Sequence, residues 1–297
     1  MYWMDYAFGY RLRFSDGNGW QITAIERLRS WLDRFACIME LKTSAPNGYP
    51  RLIFVGKSLG KEMHGEMPRL ALPHYGWNLH DFRALRVWLH ADVPHVICEL
   101  GPEKGHDLEI LRMLLSCYPV YHRAQGSGGL PFHAALIERN GIGVLLAAQG
   151  NRGKTTCCKR IPAPWHALCD DETLVVPNDS SRYHAHPFPT WSDYLFRRSQ
   201  RTWNVERHVP LSAIFFLEQT DSDKVVPLGQ GQATVRVFQS AMQVWDGRWH
   251  RLDGREKGAL RRKCFENACE LAKAIPAFLL HVSVGGRFWE EMEKVLH

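Results

Sequence analysis

The segment that decides the fold spans residues 141–156 and reads Gly141-Ile142-Gly143-Val144-Leu145-Leu146-Ala147-Ala148-Gln149-Gly150-Asn151-Arg152-Gly153-Lys154-Thr155-Thr156. Its apolar run predicts a buried strand, and the polar, glycine-containing residues after that run predict a tight loop. The Gly-Lys-Thr-Thr sequence at its end predicts the first turn of a helix. Strand, loop and helix in this order are typical of a phosphate-binding loop in an α/β protein.

The chemistry of such a loop assigns a role to each part of the segment. Backbone N–H groups wrap a phosphate, Lys154 neutralises charge on the β- and γ-phosphates, and the Thr155 hydroxyl ligates Mg²⁺. Ala148 stands six residues before the lysine, where the consensus for these loops has glycine. We predict that ATP or another nucleoside triphosphate is bound by Ala148, Gln149, Gly150, Asn151, Arg152, Gly153, Lys154, Thr155 and Thr156.

An acidic cluster, Asp170-Asp171-Glu172, follows a short apolar run about fifteen residues after the loop. A parallel neighbouring strand would bring these carboxylates beside the nucleotide. Two adjacent carboxylates can divide the work, because one ligates magnesium while the other takes the proton from an attacking hydroxyl. Neighbouring residues of a strand point to opposite faces, so we predict a bend that lets Asp170 and Asp171 serve one site.

Composition and charge limit the function classes. The 297 residues are 45% apolar and 23% charged, which excludes a disordered chain, and the net charge is +6. The basic clusters at residues 197–201 and 255–263 are interpreted as solvated faces or, alternatively, as a site for phosphate or an acidic peptide. Because no nucleic-acid module is present, binding of RNA or DNA is kept only as a minor alternative.

Cysteine and histidine usage predicts a reducing setting without a resident metal. The eight cysteines form no Cys-x-x-Cys pair, and no signal peptide or membrane-spanning run is evident, so we expect free thiols and a cytoplasmic protein. On a strand, His184 and His186 would place both rings on one side, but spacing provides no third metal ligand. No membrane partner is expected, and a homo-oligomer is left open.

Strand and helix signals alternate along the chain and predict an α/β fold with mixed sheets. We predict a helix over 24–39 capped by Thr23, a linker at 125–129, strands at 134–138 and 213–217, and helices at 233–245 and 257–274. The linker suggests two domains. Residues 1–125 form an N-terminal α+β region for substrate or partner binding, and residues 126–297 form a phosphate-loop catalytic domain.

The loop, the acidic pair and His133 together resemble the HPr serine kinase/phosphorylase family. In that family a histidine precedes a Gly-x-Gly strand, the phosphate loop follows, and an Asp-Asp pair comes after the helix. This chain has the same order, with His133 before Gly141-Ile142-Gly143. From Ala185 to Thr190 and toward the C-terminus, the chain is similar to the divergent kinase-like proteins of the SynChlorMet cassette, found beside peptide-modification genes.

This resemblance implies a fold, a reaction and a set of roles. The expected core is that of HPr kinase and phosphoenolpyruvate carboxykinase. His133 and Asp170 would act at the phosphoacceptor, and Lys154 would act at the β- and γ-phosphates. Thr155 and Asp171 would hold Mg²⁺, although the division between the two aspartates stays open. The expected function is transfer of the ATP γ-phosphate to a Ser or Thr hydroxyl of a small protein or ribosomally made peptide. The alternative is a catalytically weak nucleotide-binding scaffold or sensor.

Overall fold

The computed structural model describes residues 9–45, 48–56, 72–148, 153–178, 180, 182–246 and 254–296. The fold is mixed α/β, as the sequence predicts, with two mixed sheets and helices packed against them. The chain divides into two compact units. Met1–Val120 and Trp191–Thr202 form the first, and Tyr121–Thr190 and Trp203–His297 form the second. A substrate- or partner-binding role for residues 1–125 stays a prediction.

The strands and helices follow one another in chain order. The strands are β1 (Tyr10–Arg13), β2 (Gly19–Ala24), β3 (Lys42–Thr43), β4 (Arg51–Gly56), β5 (Trp77–Asp81), β6 (Leu85–His90), β7 (Val96–Leu100), β8 (Leu130–Phe132), β9 (Ala134–Arg139), β10 (Ile142–Ala147), β11 (His166–Cys169), β12 (Thr173–Pro177), β13 (Tyr183–Pro187), β14 (Val209–Gln219), β15 (Lys224–Pro227) and β16 (Ala277–Val282). The helices are α1 (Arg29–Ile38), α2 (His106–Ser116), α3 (Tyr118–Gly126), α4 (Lys154–Arg160), α5 (Trp191–Leu195), α6 (Gln230–Asp246), α7 (Gly254–Ala274) and α8 (Phe288–Glu293).

The first unit is built on a sheet with the strand order β3-β1-β2-β4-β7-β6-β5. Its central strands β2, β4 and β7 are parallel. From Leu52 to Val55, β4 is an unbroken run of buried apolar residues, as expected of a parallel strand covered on both faces. Helix α1 packs on it through Trp31, whose ring lies 4.8 Å from that of Phe54. The predicted cap at Thr23 is wrong, because Thr23 lies within β2 and α1 begins at Arg29.

The second unit contains the segment at residues 141–156. Its sheet has the strand order β11-β9-β10-β14-β13-β12-β8, with β16 beside β14 and β15 beside β16. Strands β10, β14 and β16 are parallel. Strand β9 is antiparallel to β10, and β11 is antiparallel to β9. Helices α4 and α8 cover one face through Cys157, Phe288 and Met292, which pack on Val144 and Leu146. The strands predicted at 134–138 and 213–217 and both long helices are confirmed.

The predicted linker at residues 125–129 is wrong. Gln125 and Gly126 form the end of α3, and the buried Gln125 side chain donates through Nε2 to the Leu260 carbonyl at 2.7 Å. The Asn267 amide in turn donates to the carbonyls of Gln125 and Gly129, at 2.8 and 2.9 Å. These small polar residues therefore lie at the end of α3 and are hydrogen-bonded to α7. Their composition resembles that of a linker, which explains the wrong prediction.

Two further sequence inferences concern thiols and membranes. All eight cysteines are free thiols. Within the described ranges, no helix has the combination of length and apolarity that crossing a bilayer requires.

His184 and His186 both lie on β13, and both rings contact the ring of His208, at 5.2 and 5.1 Å. They therefore share one face, as the spacing predicts. His186 is fully buried and its Nδ1 donates to the Val205 carbonyl at 2.9 Å. Among the described residues, no group of three or more His, Cys, Asp or Glu side chains is arranged to hold a metal. Of the three rings, only that of His186 is buried in the core.

The burial of His186 predicts acid-sensitive stability. Burial lowers the pKa of His186 to about 3. Below about pH 6.5 this histidine becomes protonated in the unfolded chain but stays neutral in the folded chain. The free energy of unfolding therefore falls as the pH falls toward the folded pKa. Between about pH 7 and pH 5, the free energy of unfolding of the wild type should drop by about 2 kcal/mol more than that of His186→Asn. Urea unfolding at both pH values measures this difference, and equal losses would contradict it.

Candidate functional site

The site lies at one edge of the sheet in the second unit. Strands β10 and β11 run in the same direction, with β9 antiparallel between them. The prediction that the acidic cluster follows a direct parallel neighbour of the loop strand is therefore wrong. The carboxyl ends of β10 and β11 and the start of β9 therefore meet at this edge. Ala148 follows β10, Asp170 follows β11, and His133 precedes β9. Three segments distant in sequence thus deliver their side chains to one place.

Helix α4 begins immediately after a glycine with an unusual backbone. Gly153 has φ +92°, a left-handed conformation that a residue with a Cβ atom rarely adopts. Lys154 is the first residue of α4, as the Gly-Lys-Thr-Thr pattern predicts. Gln149, Gly150, Asn151 and Arg152 lie outside the described residues, so their predicted contacts with phosphate stay predictions.

The Lys154 side chain points inward. It is only 7% exposed, and its Nζ lies 2.8 Å from His133 Nε2 and 3.3 Å from the Ala148 carbonyl oxygen. Burial lowers the pKa of Lys154, while the nearby charges of Asp171 and Asp170 act to raise it. A buried amine next to two carboxylates is a local charge arrangement suited to an anionic ligand that also brings a cation.

His133 is the centre of the contacts. Its backbone N–H donates to the Ser240 carbonyl at 3.3 Å, and its Nδ1 lies 2.6 Å from Gln243 Oε1. An amide oxygen only accepts hydrogen bonds, so Nδ1 carries a proton and donates it to Gln243. The other ring nitrogen, Nε2, faces Lys154 and Asp171. Nε2 lies 2.8 Å from Lys154 Nζ and 3.1 Å from Asp171 Oδ1. Depending on its proton, Nε2 accepts from the lysine or donates to the aspartate.

The acidic residues lie in a bend between β11 and β12, as predicted. Each carboxylate has a different partner. Asp170 Oδ1 accepts a hydrogen bond from the buried Thr190 hydroxyl at 2.6 Å, and Glu172 Oε2 accepts one from the Tyr121 hydroxyl at 2.7 Å. Asp171 contacts His133. The bend therefore places both aspartates near Lys154, and the charge of each acts to raise the pKa of the lysine.

The structure brings together only part of the predicted site. Lys154, His133 and Asp171 are in contact, and Asp170 is near enough to act on the lysine. Thr155 and Thr156 are exposed on the first turn of α4, so Thr156 does not face the core. Sequence reasoning missed Gln243 and its helical neighbour Ser240, which orient His133.

Two cavities open beside these residues. One, of about 220 Å³, lies beyond the carboxyl ends of β10 and β14, where parallel sheets usually bind ligands, and Ala148, Glu218 and Arg236 line it. The other, of about 820 Å³, is an open groove that reaches His133. Gln239 and Gln243 line both cavities. The candidate site is therefore reached from two sides.

The oxygen donors of the site suit a magnesium ion that is shared with a bound phosphate. Mg²⁺ is usually held by one or two carboxylates, water and substrate phosphates, and seldom by a protein cage. Asp171 offers a half-buried carboxylate, and Thr155 offers an exposed hydroxyl at the head of α4. The described residues contain no three-ligand cluster of acidic, His or Cys side chains. This set suits a magnesium ion that arrives with a nucleotide.

Comparison with known proteins identifies a family for most of the chain. No curated protein matches the chain. Residues 96–297 match the family described as SynChlorMet cassette protein ScmC. This match covers more than half of the chain and includes every residue of the candidate site. The chain therefore belongs to the family of SynChlorMet cassette protein ScmC.

Proposed function

We propose that this protein is a cytoplasmic, ATP-dependent kinase related to the HPr serine kinases. Its acceptor would be a Ser or Thr hydroxyl of a small protein or ribosomally made peptide encoded in the same cassette. The observation that carries the proposal is the contact of Lys154 Nζ with His133 Nε2, which also contacts Asp171. A phosphate-loop lysine, a histidine and two carboxylates meet at the strand ends, and this set supports phosphoryl transfer.

Lys154 would hold the phosphates that react. Its Nζ is already directed to the end of β10, where it bonds the Ala148 carbonyl and His133. In the proposed complex it exchanges one of these bonds for oxygens of the β- and γ-phosphates. Bound magnesium would supply further neutralisation of the phosphate charge, held by Asp171 and Thr155.

Asp170 would take the proton of the acceptor hydroxyl. Its carboxylate already accepts a hydrogen bond from an O–H group, that of Thr190, at 2.6 Å. In the transfer step a bond forms between the hydroxyl oxygen and the γ-phosphorus, and the bond from that phosphorus to the β–γ bridging oxygen breaks. The hydroxyl proton passes to Asp170, and ADP leaves with the bridging oxygen. His133 orients Asp171 and Lys154 through Nε2.

The reaction itself provides the test. Purified protein is incubated with Mg²⁺, ATP labelled in the γ-phosphate and each peptide encoded in the cassette, and the products are separated and hydrolysed for phosphoamino-acid analysis. The proposal expects label on Ser or Thr of one of these peptides. Label that remains in ATP with every peptide, or that is found only on other residue types, would contradict it.

A second prediction concerns the backbone before the lysine. Gly153→Ala should weaken ATP binding about tenfold, because a Cβ atom at φ +92° disfavours the conformation that presents Lys154 by about 1–2 kcal/mol. Gly141→Ala is the matched control, since Gly141 has φ +81° at a turn away from Lys154 and a Cβ atom there meets nothing within 4 Å. Calorimetric titration with Mg²⁺-ATP measures both variants, and similar affinities in the two would contradict the role of Gly153.

A nucleotide-binding scaffold or sensor is the second candidate. It is favoured by the alanine at position 148 and by the internal partners that hold the lysine amine, His133 and the Ala148 carbonyl. A scaffold would bind Mg²⁺-ATP and retain it unchanged in the presence of every cassette peptide. The transfer experiment therefore separates the two candidates.

A further inference from the structure

The larger cavity beside the site is a groove between α6 and α7, and we call it the α6–α7 groove. It has a volume of about 820 Å³ and is open to solvent. Residues from both helices line it, among them Val235, Phe238, Met242 and Arg261. A groove of this size accommodates several side chains of an extended polypeptide.

The outward face of α6 is more apolar than a solvated helix face requires. Ala233, Val237, Ala241 and Val244 are among the residues of the buried face. Val235, Phe238 and Met242 recur at helical spacing on the groove side, and Val235 is 49% exposed. On α7, Phe265 is 47% exposed, and its ring lies 5.6 Å from that of Phe238. The two helices thus present a joint apolar strip to solvent.

The first half of α7 is basic. Residues 255–263 carry five basic side chains and one acidic side chain. Arg261 brings the positive charge to the groove wall, where its guanidinium lies 5.8 Å from the centre of the Phe238 ring. Asp246, the last residue of α6, also lines the groove, about two helical turns from Phe238. Only the part of the wall at Arg261 is therefore complementary to an acidic side chain.

The groove leads to the reactive side chains. His133 lines the groove, and the Nε2 of this histidine contacts Lys154 and Asp171. Gln243 lines the groove and also the smaller cavity at the ends of β10 and β14. A polypeptide in the groove and a nucleotide at the strand ends would therefore meet at His133.

We propose that the α6–α7 groove binds the acceptor polypeptide. The bound segment carries aromatic or aliphatic side chains, which cover the strip formed by Val235, Phe238 and Phe265, next to Asp or Glu residues, which pair with Arg261. Its Ser or Thr hydroxyl lies at the His133 end. The identity of the segment as acceptor rests on the proposed kinase function, whereas its binding to the groove does not require ATP.

Binding without nucleotide tests the proposal. The probe is a set of short fluorescent peptides, each with one Ser, in which the flanking residues are acidic and aromatic, acidic only, aromatic only, or basic and aromatic. Fluorescence anisotropy should show the tightest binding for the acidic and aromatic peptides. Arg261→Glu and Val235→Asp should each weaken that binding about tenfold or more.

Arg262→Glu is the matched control, because Arg262 is the next residue, is also exposed and does not line the groove. It should leave the affinity within a few-fold of the wild type. Equal losses in Arg261→Glu and Arg262→Glu, preference for basic peptides, or no binding of any acidic and aromatic peptide would overturn the inference. Displacement of the peptides by a single-stranded RNA oligonucleotide at low concentration would overturn it as well, in favour of nucleic-acid binding.

The proposal that the groove binds the peptide and the proposal that the protein is a kinase can be contradicted separately. Peptide binding that depends on Arg261, without transfer of phosphate in the wild type, supports the groove and contradicts the kinase. Transfer of phosphate whose peptide KM is unchanged in Arg261→Glu supports the kinase and contradicts the groove. Lys154→Met should lose transfer and keep the peptide affinity, because the lysine does not line the groove.

Discussion

Lys154→Met is expected to lower the rate constant of phosphoryl transfer by about 10³-fold, a loss of roughly 4 kcal/mol of transition-state stabilisation. Lys154 provides a positive charge at the end of β10, from a side chain that is only 7% exposed. Charge in such a water-poor position acts strongly on the developing phosphate charge. Methionine is similar in length, so it fills the same space without the charge. Single-turnover transfer with labelled ATP measures the effect.

The control for Lys154→Met is the same change at Lys159, an exposed residue of the same helix. Lys159→Met should leave the transfer rate within a few-fold of the wild type, and thermal unfolding checks that both variants are folded. A Lys154→Met protein that keeps a substantial part of its activity would refute the assignment of the lysine.

Asp170→Asn and Asp171→Asn are expected to change different kinetic quantities, the first kcat and the second the magnesium requirement. Asp170 is the proposed base, so Asp170→Asn should lower kcat by about 10²–10⁴-fold with little change in the magnesium requirement. Asp171 is the proposed ligand, so Asp171→Asn should raise the Mg²⁺ concentration for half-maximal activity about tenfold or more, and excess Mg²⁺ should restore part of the rate. Magnesium titrations of the initial rate separate the two roles.

Glu172→Gln is the control for the acidic pair. It lies in the same bend, and its side chain accepts a hydrogen bond from Tyr121. Glu172→Gln should change neither kcat nor the magnesium requirement by more than a few-fold. If Asp171→Asn lowers kcat at saturating magnesium while Asp170→Asn shifts the requirement, the roles of the two aspartates are reversed.

The parts of this fold that sequence predicts are those set by local pattern. The run from Val144 to Ala147 forms a buried strand because all its residues are apolar, and the helix after Gly153 begins where glycine and lysine indicate. Thr23 misled the prediction because it is a good capping residue that here belongs to β2, whose pairing with β4 decides its conformation. Tertiary pairing overrode a local preference there.

The site illustrates a second limit. His133, Lys154 and Asp171 were predicted from their order along the chain, and they are in contact. Gln243 was missed, because it lies 110 residues from the histidine that it orients and no local motif marks it. The helical pattern of α6 indicates which face is buried, but a glutamine at the border of that face becomes meaningful only when β8 and β9 place His133 against it.

Joint measurement of ADP and phosphopeptide in a single turnover shows whether the site transfers phosphate. We propose that the site around Lys154, His133 and the aspartate pair moves the terminal phosphate of ATP to a polypeptide hydroxyl. ADP and phosphorylated peptide should then form at the same rate and in equal amounts, and both should be lost in Lys154→Met. ATP that binds tightly and remains intact with every cassette peptide, or ADP formed without phosphopeptide, would contradict it.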